Sequence, residues 1–418
     1  MRKRPSAVVT GLGLVLPHGV GLQAADAVFR GESAVACITG INGPAGATAA
    51  ALAEFTPPDG TAGADRAIQF AVAAAEEAWR HAGLSADGID PERVAVVLTL
   101  SKGCILALAR RAGLRRSRRA GMASGGAGGR DFWFQVAPDA AARTVAGRLG
   151  VRGPVETPVT ACASGGHALL WGVRLIERGV VDIALAGAAE ASIHPLIIGS
   201  YRRMGVLAPA GDDPAASVRP FSSTRRGFAI GEGAGVVVLE SAESAERRGA
   251  RTLGRVSGWA SGSHAASLTH VEADGTTLAR LMQEALRRAR VEPGAVDYVH
   301  AHGTATVPND LAEARAIRRA LLGAEGVSVS STKGAHGHLL GAATAVETVL
   351  TILAMERQEV PPTANLTDPD PAIGLDCTPL RPRRRPIRHA LKIASGFGGQ
   401  SLALCLSAAT TTSRAPAR

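Results

Sequence analysis

Apolar and polar positions along the chain fall into short blocks that switch repeatedly between the period of a strand and that of a helix. Residues 7–16 (AVVTGLGLVL) are apolar apart from Thr10 and predict a buried strand with a glycine-containing turn. Residues 65–81 set Ile68, Ala71, Ala75 and Trp79 on one helical face. Residues 93–100 (RVAVVLTL) and 180–187 (VVDIALAG) read as strands buried on both faces. A glycine-rich turn region at 219–239 feeds a Val-rich strand, and 242–250 is a charged helix that makes a boundary between two halves. Residues 276–290 are amphipathic, and 296–300 and 327–331 are short strands. Residues 339–355 (LLGAATAVETVLTILAM) are almost wholly apolar and predict a buried helix, while 390–394 and 402–406 flank Gly396-Phe397-Gly398-Gly399. Strands alternating with helices predict an α/β class. In each half a strand ends at a polar, small-residue turn, at Cys162 and again at His302. That points to duplicated halves facing each other, residues 1–250 and 251–409, with a disordered tail at 410–418.

Composition narrows the function. The 418 residues are 46% hydrophobic and 3% aromatic, enough for a large aliphatic core. The net charge is +10, from 46 Lys+Arg against 36 Asp+Glu. Such a surface suits an acidic partner or a phosphate-bearing ligand, and the scarcity of rings for base stacking argues against nucleic acid. Cys37, Cys104, Cys162, Cys377 and Cys405 form no CxxC pair, which argues against a zinc site and a disulfide framework. The basic N-terminus is not followed by a signal-type apolar core, and no run of about 18 apolar residues predicts a membrane span, so the expected compartment is the cytoplasm. Gly11-Leu12-Gly13 lacks the third glycine and later acid of a dinucleotide fingerprint.

The candidate chemistry centres on Thr160-Ala161-Cys162-Ala163-Ser164-Gly165-Gly166-His167. An extended run at 151–159 leads in and an Ala/Leu-rich helix leads out. A thiol at a helix start is expected to have a lowered pKa and a larger thiolate fraction. His302 and His338, at strand ends, complete a set of one nucleophile and two groups for proton transfer or hydrogen bonding to a developing oxyanion. His336 reads as a surface or supporting residue, His300 as packed in its strand, and His167 has no assigned chemistry. Residues 110–119 carry six arginines and 121–129 are mostly glycine. They read either as a solvated helix end with a flexible loop or as a docking patch for an acidic protein. A papain-like hydrolase needs the same residue types but fits HGTAT and a following STKxxxGH poorly.

Thr160–Gly165 (TACASG), His302-Gly303-Thr304-Ala305-Thr306, residues 331–342 (STKGAHGHLLGA) and Gly396-Phe397-Gly398-Gly399 together resemble the four signatures of β-ketoacyl-[acyl-carrier-protein] synthases, above all synthase II and its polyketide relatives. The resemblance spans essentially the whole chain. It implies a thiolase-like fold with a layered αβαβα arrangement, and decarboxylative condensation of an acyl-enzyme with malonyl carrier protein. By the same resemblance Cys162 accepts the acyl group, and the N–H groups of Cys162 and Phe397 hold the tetrahedral oxyanion. His302 and His338 hold the enolate, and Lys333 orients them with Glu347 in support. Thr304 and Thr306 grip the pantetheine arm, and Phe397 gates the site beside Phe228. No cofactor is bound by the chain itself, since phosphopantetheine arrives on the carrier. The partners implied are an acidic acyl carrier protein and a homodimeric or ketosynthase-like second subunit. Arg110, Arg111, Arg115, Arg116, Arg202 and Arg203 are the candidate docking rim. Departures from the pattern at Ile393-Ala394-Ser395, Gln400-Ser401, Ser222 and 99–106 suggest a specialised synthase of secondary metabolism. An inactive chain-length-factor-like partner, or a thiolase-fold acyltransferase without condensing activity, is the alternative.

Overall fold

A computed structural model of the chain describes residues 6–38, 47–85, 87–119, 132, 136–265, 267–322 and 326–409. The expected loop at 121–129 and tail at 410–418 lie outside the described residues.

Each half builds the same five-stranded order. In the first, Val155–Glu156, Val94–Leu100, Ile183–Glu190, Gly233–Ser241 and Ala7–Leu16 lie side by side. The first two junctions are parallel and the next two antiparallel. In the second, Ser328–Ser330, Tyr298–His300, His389–Ser395, Gln400–Ala408 and Gly254–Ser263 repeat that sequence of junctions. Two residue pairs, Val8↔Arg255 and Val9↔Gly254, join the halves edge to edge. With Gly19–Val20 appended, these ten strands make up one eleven-stranded sheet.

Helices make the remaining layers. Arg66–His81 and Ala140–Leu149 share an apolar cluster over the first half, and Thr276–Ala289 and Val307–Ala320 share another over the second. Between the two sheet halves lie Ser164–Glu177 and Ala343–Arg357, in a cluster that draws on strands of both. The order is thus αβαβα, the arrangement expected for a thiolase-like fold. The Ala343–Arg357 helix is buried from Ala343 to Met355, so its apolar residues cover every face. It begins later than its apolar run, because Leu340–Ala342 forms a 3₁₀ turn with Leu340 at φ 48°. Gly165 and Gly166 let the two central helices touch: a Cβ on Gly165 would lie 2.8 Å from the Ala345 nitrogen.

Two sequence expectations change here. Gly11 and Gly13 make no turn; Ala7–Leu16 is one continuous strand. Their role is close approach, since a Cβ on Gly11 would sit 2.3 Å from Ala78 O and one on Gly13 1.8 Å from Ala74 O. The run 151–159 is a strand only at Val155–Glu156, an exposed edge pair between Pro154 and Pro158, which cannot donate to a ladder. Among the described residues no helix is long and apolar enough to cross a membrane.

Candidate active site

The segment carrying Cys162 is bent before it is helical. Ala161 has φ 51°, Ala161–Ala163 forms a 3₁₀ turn, and the α-helix starts at Ser164. The bend is held locally, with Ser164 Oγ donating to Ala161 O at 2.6 Å and accepting from Thr160 N at 2.8 Å. Thr344 Oγ1, from the facing central helix, donates to Cys162 O at 3.0 Å. Cys162 is thereby fixed against a cavity of about 810 Å³, which it lines with His302, His338, Thr304, Thr306, Phe228 and Phe397.

The resting thiol is not the acidic one its helix position suggested. Burial pushes its pKa up to about 11, and the charges of Lys102 and Lys333 only partly oppose that. Desolvation is the largest effect, so the site holds a thiol rather than a thiolate before substrate arrives.

His302 lies two residues past the end of the Tyr298–His300 strand, where Glu313 accepts hydrogen bonds from the N–H of His302 and, at 2.7 Å, from that of Gly303. Burial, seconded by Lys333, drives the His302 pKa well below the ordinary histidine value, and the same two causes act on His338. Both rings are neutral at physiological pH, with centroids 5.3 Å apart and nearly perpendicular. The Leu340 N–H donates to His338 Nδ1 at 3.2 Å, which leaves the proton on Nε2. The Lys333 ammonium stands 3.5 Å from His302 Nδ1 and donates to His302 O at 2.5 Å, giving His302 the same tautomer. Each imidazole therefore has one N–H to offer.

Lys333 and Glu347 form a wholly buried ion pair. Lys392 completes it from the other side, 2.7 Å from the second Glu347 oxygen. Charge from the two lysines holds the Glu347 carboxyl below its usual range against the cost of burial. Neither Lys392 nor Glu313 stands out in the sequence by motif. The one available signal was a lysine inside the apolar strand 389–395, where an unpaired ammonium would be costly.

The turn 396–399 lies directly over Cys162. A Cβ on Gly396 would come 3.2 Å from the Cys162 nitrogen and 3.0 Å from Thr160 O, so the turn packs against the backbone at Cys162. Phe397 stacks on Tyr201 at 6.2 Å, Tyr201 meets Phe228 edge-on, and Phe228 meets the His338 ring at 4.8 Å. Thr304 and Thr306 hydroxyls are 2.8 Å apart at the cavity wall. His336 is not at the surface: it is buried and bonded to Thr332 Oγ1 and Gly337 O. His300 is packed in its strand, bonded to Thr351 and Thr332, and His167 Nδ1 bonds Thr160 Oγ1 at 2.9 Å. Arg202 and Arg203 are exposed at the end of Pro195–Arg203, beside the cavity-lining Met204. Arg110 is exposed and Arg111 lies over the Phe132 ring. Arg115 and Arg116 belong to the Ile105–Arg119 helix, but their side chains lie outside the described residues.

Comparison with known proteins agrees along the chain. The family description "Beta-ketoacyl synthase, N-terminal domain" matches residues 6–245, and "Beta-ketoacyl synthase, C-terminal domain" matches 253–367. A putative polyketide beta-ketoacyl synthase 1 of Streptomyces cyaneus is 38% identical over 410 residues, covering 95% of this chain and 97% of the relative. The 3-oxoacyl-[acyl-carrier-protein] synthase 2 of Synechocystis sp. is 32% identical over 412 residues, covering 96% and 98%. Among solved structures, a type II polyketide ketosynthase in complex with its acyl-carrier protein superimposes with TM-score 0.88 at 34% identity, covering 97% of this chain and 100% of that one. The ishigamide ketosynthase/chain length factor gives 0.87 at 32%, with the same coverage.

Proposed function

This chain belongs to the β-ketoacyl synthase family, and from that premise we propose that it condenses a Cys162-bound acyl group with malonyl-[acyl-carrier-protein], as the ketosynthase subunit of a polyketide or related secondary-metabolic system. The observation that carries the reading is the convergence of one thiol, two neutral imidazole donors and the 396–399 turn on a single cavity.

The chemistry follows from those groups. Cys162 Sγ attacks the carbonyl of an acyl-pantetheine thioester, and the oxygen takes up negative charge against the N–H groups of Cys162 and Phe397. The pantetheine sulfur leaves and ends with the proton that the thiol gave up. Malonyl thioester then enters past Thr304 and Thr306. Its carboxylate leaves as carbon dioxide, and the electron pair of the broken C–C bond moves onto the thioester oxygen, where His302 and His338 each donate one Nε2–H. Neutral donors suit this step, because an imidazolium would protonate the enolate rather than hold it. The enolate carbon attacks the acyl carbonyl, the Cys162 sulfur leaves, and it regains a proton from solvent.

The relatives also supply the partners. A solved neighbour is bound to its acyl-carrier protein, and another pairs a ketosynthase with a chain length factor. We assign this chain an acidic carrier, whose phosphopantetheine supplies the thioester arm, and a ketosynthase-like second subunit. Cys162 at the cavity favours the condensing role over the chain-length-factor role. Intact-protein mass spectrometry tests it: wild type gains one acyl group from acyl carrier protein and releases carbon dioxide from the malonyl form. Cys162→Ala gains none, and an acylated Cys162→Ala protein would overturn the reading.

A further inference from the structure

Lys392 lies outside the four sequence signatures, yet it is fully buried and its ammonium is fully engaged. It projects from the His389–Ser395 strand, the one that leads into the 396–399 turn. Its ammonium lies 2.7 Å from Glu347 Oε2 and donates to Ala301 O at 3.1 Å and His300 O at 3.3 Å. Those carbonyls belong to the two residues before His302. Lys392 and Lys333 thus grip one carboxylate from opposite sides, and both bond backbone of the segment that presents His302.

The charges around this point do not cancel. The Ala343–Arg357 helix contributes Glu347, and Lys333–His336 contributes Lys333 with a neutral His336. The 298–302 segment contributes Tyr298, kept neutral by burial, and neutral His300 and His302. His338, just ahead of the Ala343–Arg357 helix, is neutral too. From Val307–Ala320 come Glu313, pushed up to about 7 by burial, and Asp310, raised as well and beside Arg225. Two full cations therefore face one full anion, with Glu313 only partly ionised. Burial pushes Lys392 itself down to about 8, although Glu347 opposes the fall. A lysine with no role beyond filling space gains nothing from that burial, since Met fills a similar volume between Leu391 and Ile393 without charge.

We propose that Lys392 is a positioning residue for condensation: by sharing Glu347 with Lys333 it keeps the ground under His302 and His338 electropositive, which speeds loss of carbon dioxide from bound malonyl thioester. Lys392 gives no proton to the reaction. The C–C electron pair still moves to the thioester oxygen, and the fixed charge lowers the energy of the anion formed there. When Lys392 is neutral, Lys333 and Glu347 are left as a self-cancelling pair and that advantage is lost. The proposal rests on the condensing function above.

The test is carbon dioxide release from malonyl-N-acetylcysteamine by protein whose Cys162 is capped with iodoacetamide, across about pH 6 to 9.5. Wild type should lose rate on the alkaline side, with a midpoint near the Lys392 value of about 8. Lys392→Met should be slower by about tenfold at neutral pH and within about twofold of wild type at the alkaline end, so the ratio of the two rates shrinks as pH rises. A merely structural role gives a ratio independent of pH and overturns the proposal. If Lys392→Met does not fold by thermal melting, the wild-type profile decides alone: a rate flat through the alkaline range overturns the proposal, and a limb near Lys392's value supports it. Wild type that releases no carbon dioxide at any pH fails the condensing reading itself, and the proposal falls with it.

Discussion

Gly396→Ala adds one methyl group at the contact between Cys162, the proposed nucleophile, and the 396–399 turn. Its Cβ would stand 3.0 Å from Thr160 O and 3.2 Å from the nitrogens of Cys162 and Ala163. Gly396 is not among the positive-φ glycines, so alanine carries no backbone penalty and the effect is purely one of space. These contacts are a few tenths of an ångström too tight, and a two-glycine turn can yield by about that much. The movement shifts the Phe397 N–H, the donor proposed for the oxygen that develops charge during acylation. Losing such a donor entirely costs about 2.7–4 kcal/mol. A partial displacement should cost about 1–2 kcal/mol, or about 5- to 30-fold in rate. The assay is single-turnover acylation of Cys162 from an acyl thioester, followed by intact mass. Alongside it runs carbon dioxide release from malonyl thioester by protein with Cys162 capped, a step that draws on His302 and His338 instead. Acylation should fall by the stated factor while carbon dioxide release changes by less than about twofold. Acylation at the wild-type rate would refute the role of the Phe397 N–H, and an equal fall in both steps would refute the separation of the two oxyanion sites.

Three further outcomes follow from the same geometry. Glu347→Gln leaves Lys333 and Lys392 buried without their shared anion, and urea unfolding should show a loss of about 3–5 kcal/mol. His300, His302, His336 and His338 are buried with lowered pKa values, so the unfolded chain binds more protons than the folded one as pH falls. Stability should therefore decline as pH drops below the ordinary histidine value of about 6.5, read as a falling melting temperature, while the histidines impose no activity loss between about pH 6.5 and 7.5. Charge reversal at exposed Arg202 and Arg203, beside the cavity mouth, should raise KM for the carrier protein several-fold at low salt and leave turnover of a small thioester unchanged; an unaltered KM removes them from the docking rim.

How much of this was readable in the residues depends on how far apart the interacting groups are. Short-range patterns survive translation into structure: Asp65 caps the Arg66–His81 helix by accepting from Ala67 N, and Val94–Leu100 is buried at every position. The reacting residues were legible because each sits in a small-residue turn whose local sequence is distinctive. What escaped depends on distant partners. Nothing near Glu313 in sequence signals that its carboxylate holds the N–H groups of His302 and Gly303, and nothing near Lys392 signals Glu347, 45 positions earlier by residue number. The thiol's pKa was misjudged for the same reason. A helix start is visible in sequence, whereas the walls that desolvate Cys162 come from the far half of the chain.

The duplication explains why those distant partners meet at all. Cys162 follows the edge strand of the first half and precedes one central helix, and His338 follows the edge strand of the second half and precedes the other. Packing the two central helices through Gly165 and Gly166 brings both positions to one cavity. The symmetry then breaks at the neighbouring strand. In the second half Tyr298–His300 leads to His302, held by Glu313; in the first, Val94–Leu100 leads to Ser101 and Lys102. There Lys102 donates to Ser101 Oγ at 3.2 Å, and Ser101 in turn donates to buried Glu190. Glu190 also accepts from Gly341 N at 3.1 Å, three residues past His338. One half thus places a neutral imidazole at the cavity where the other places a polar network that braces the turn after His338. The fold repeats the scaffold and lets the two copies divide the labour of reacting and supporting, which is why a hint of repetition in the sequence became informative only once the strand order was known.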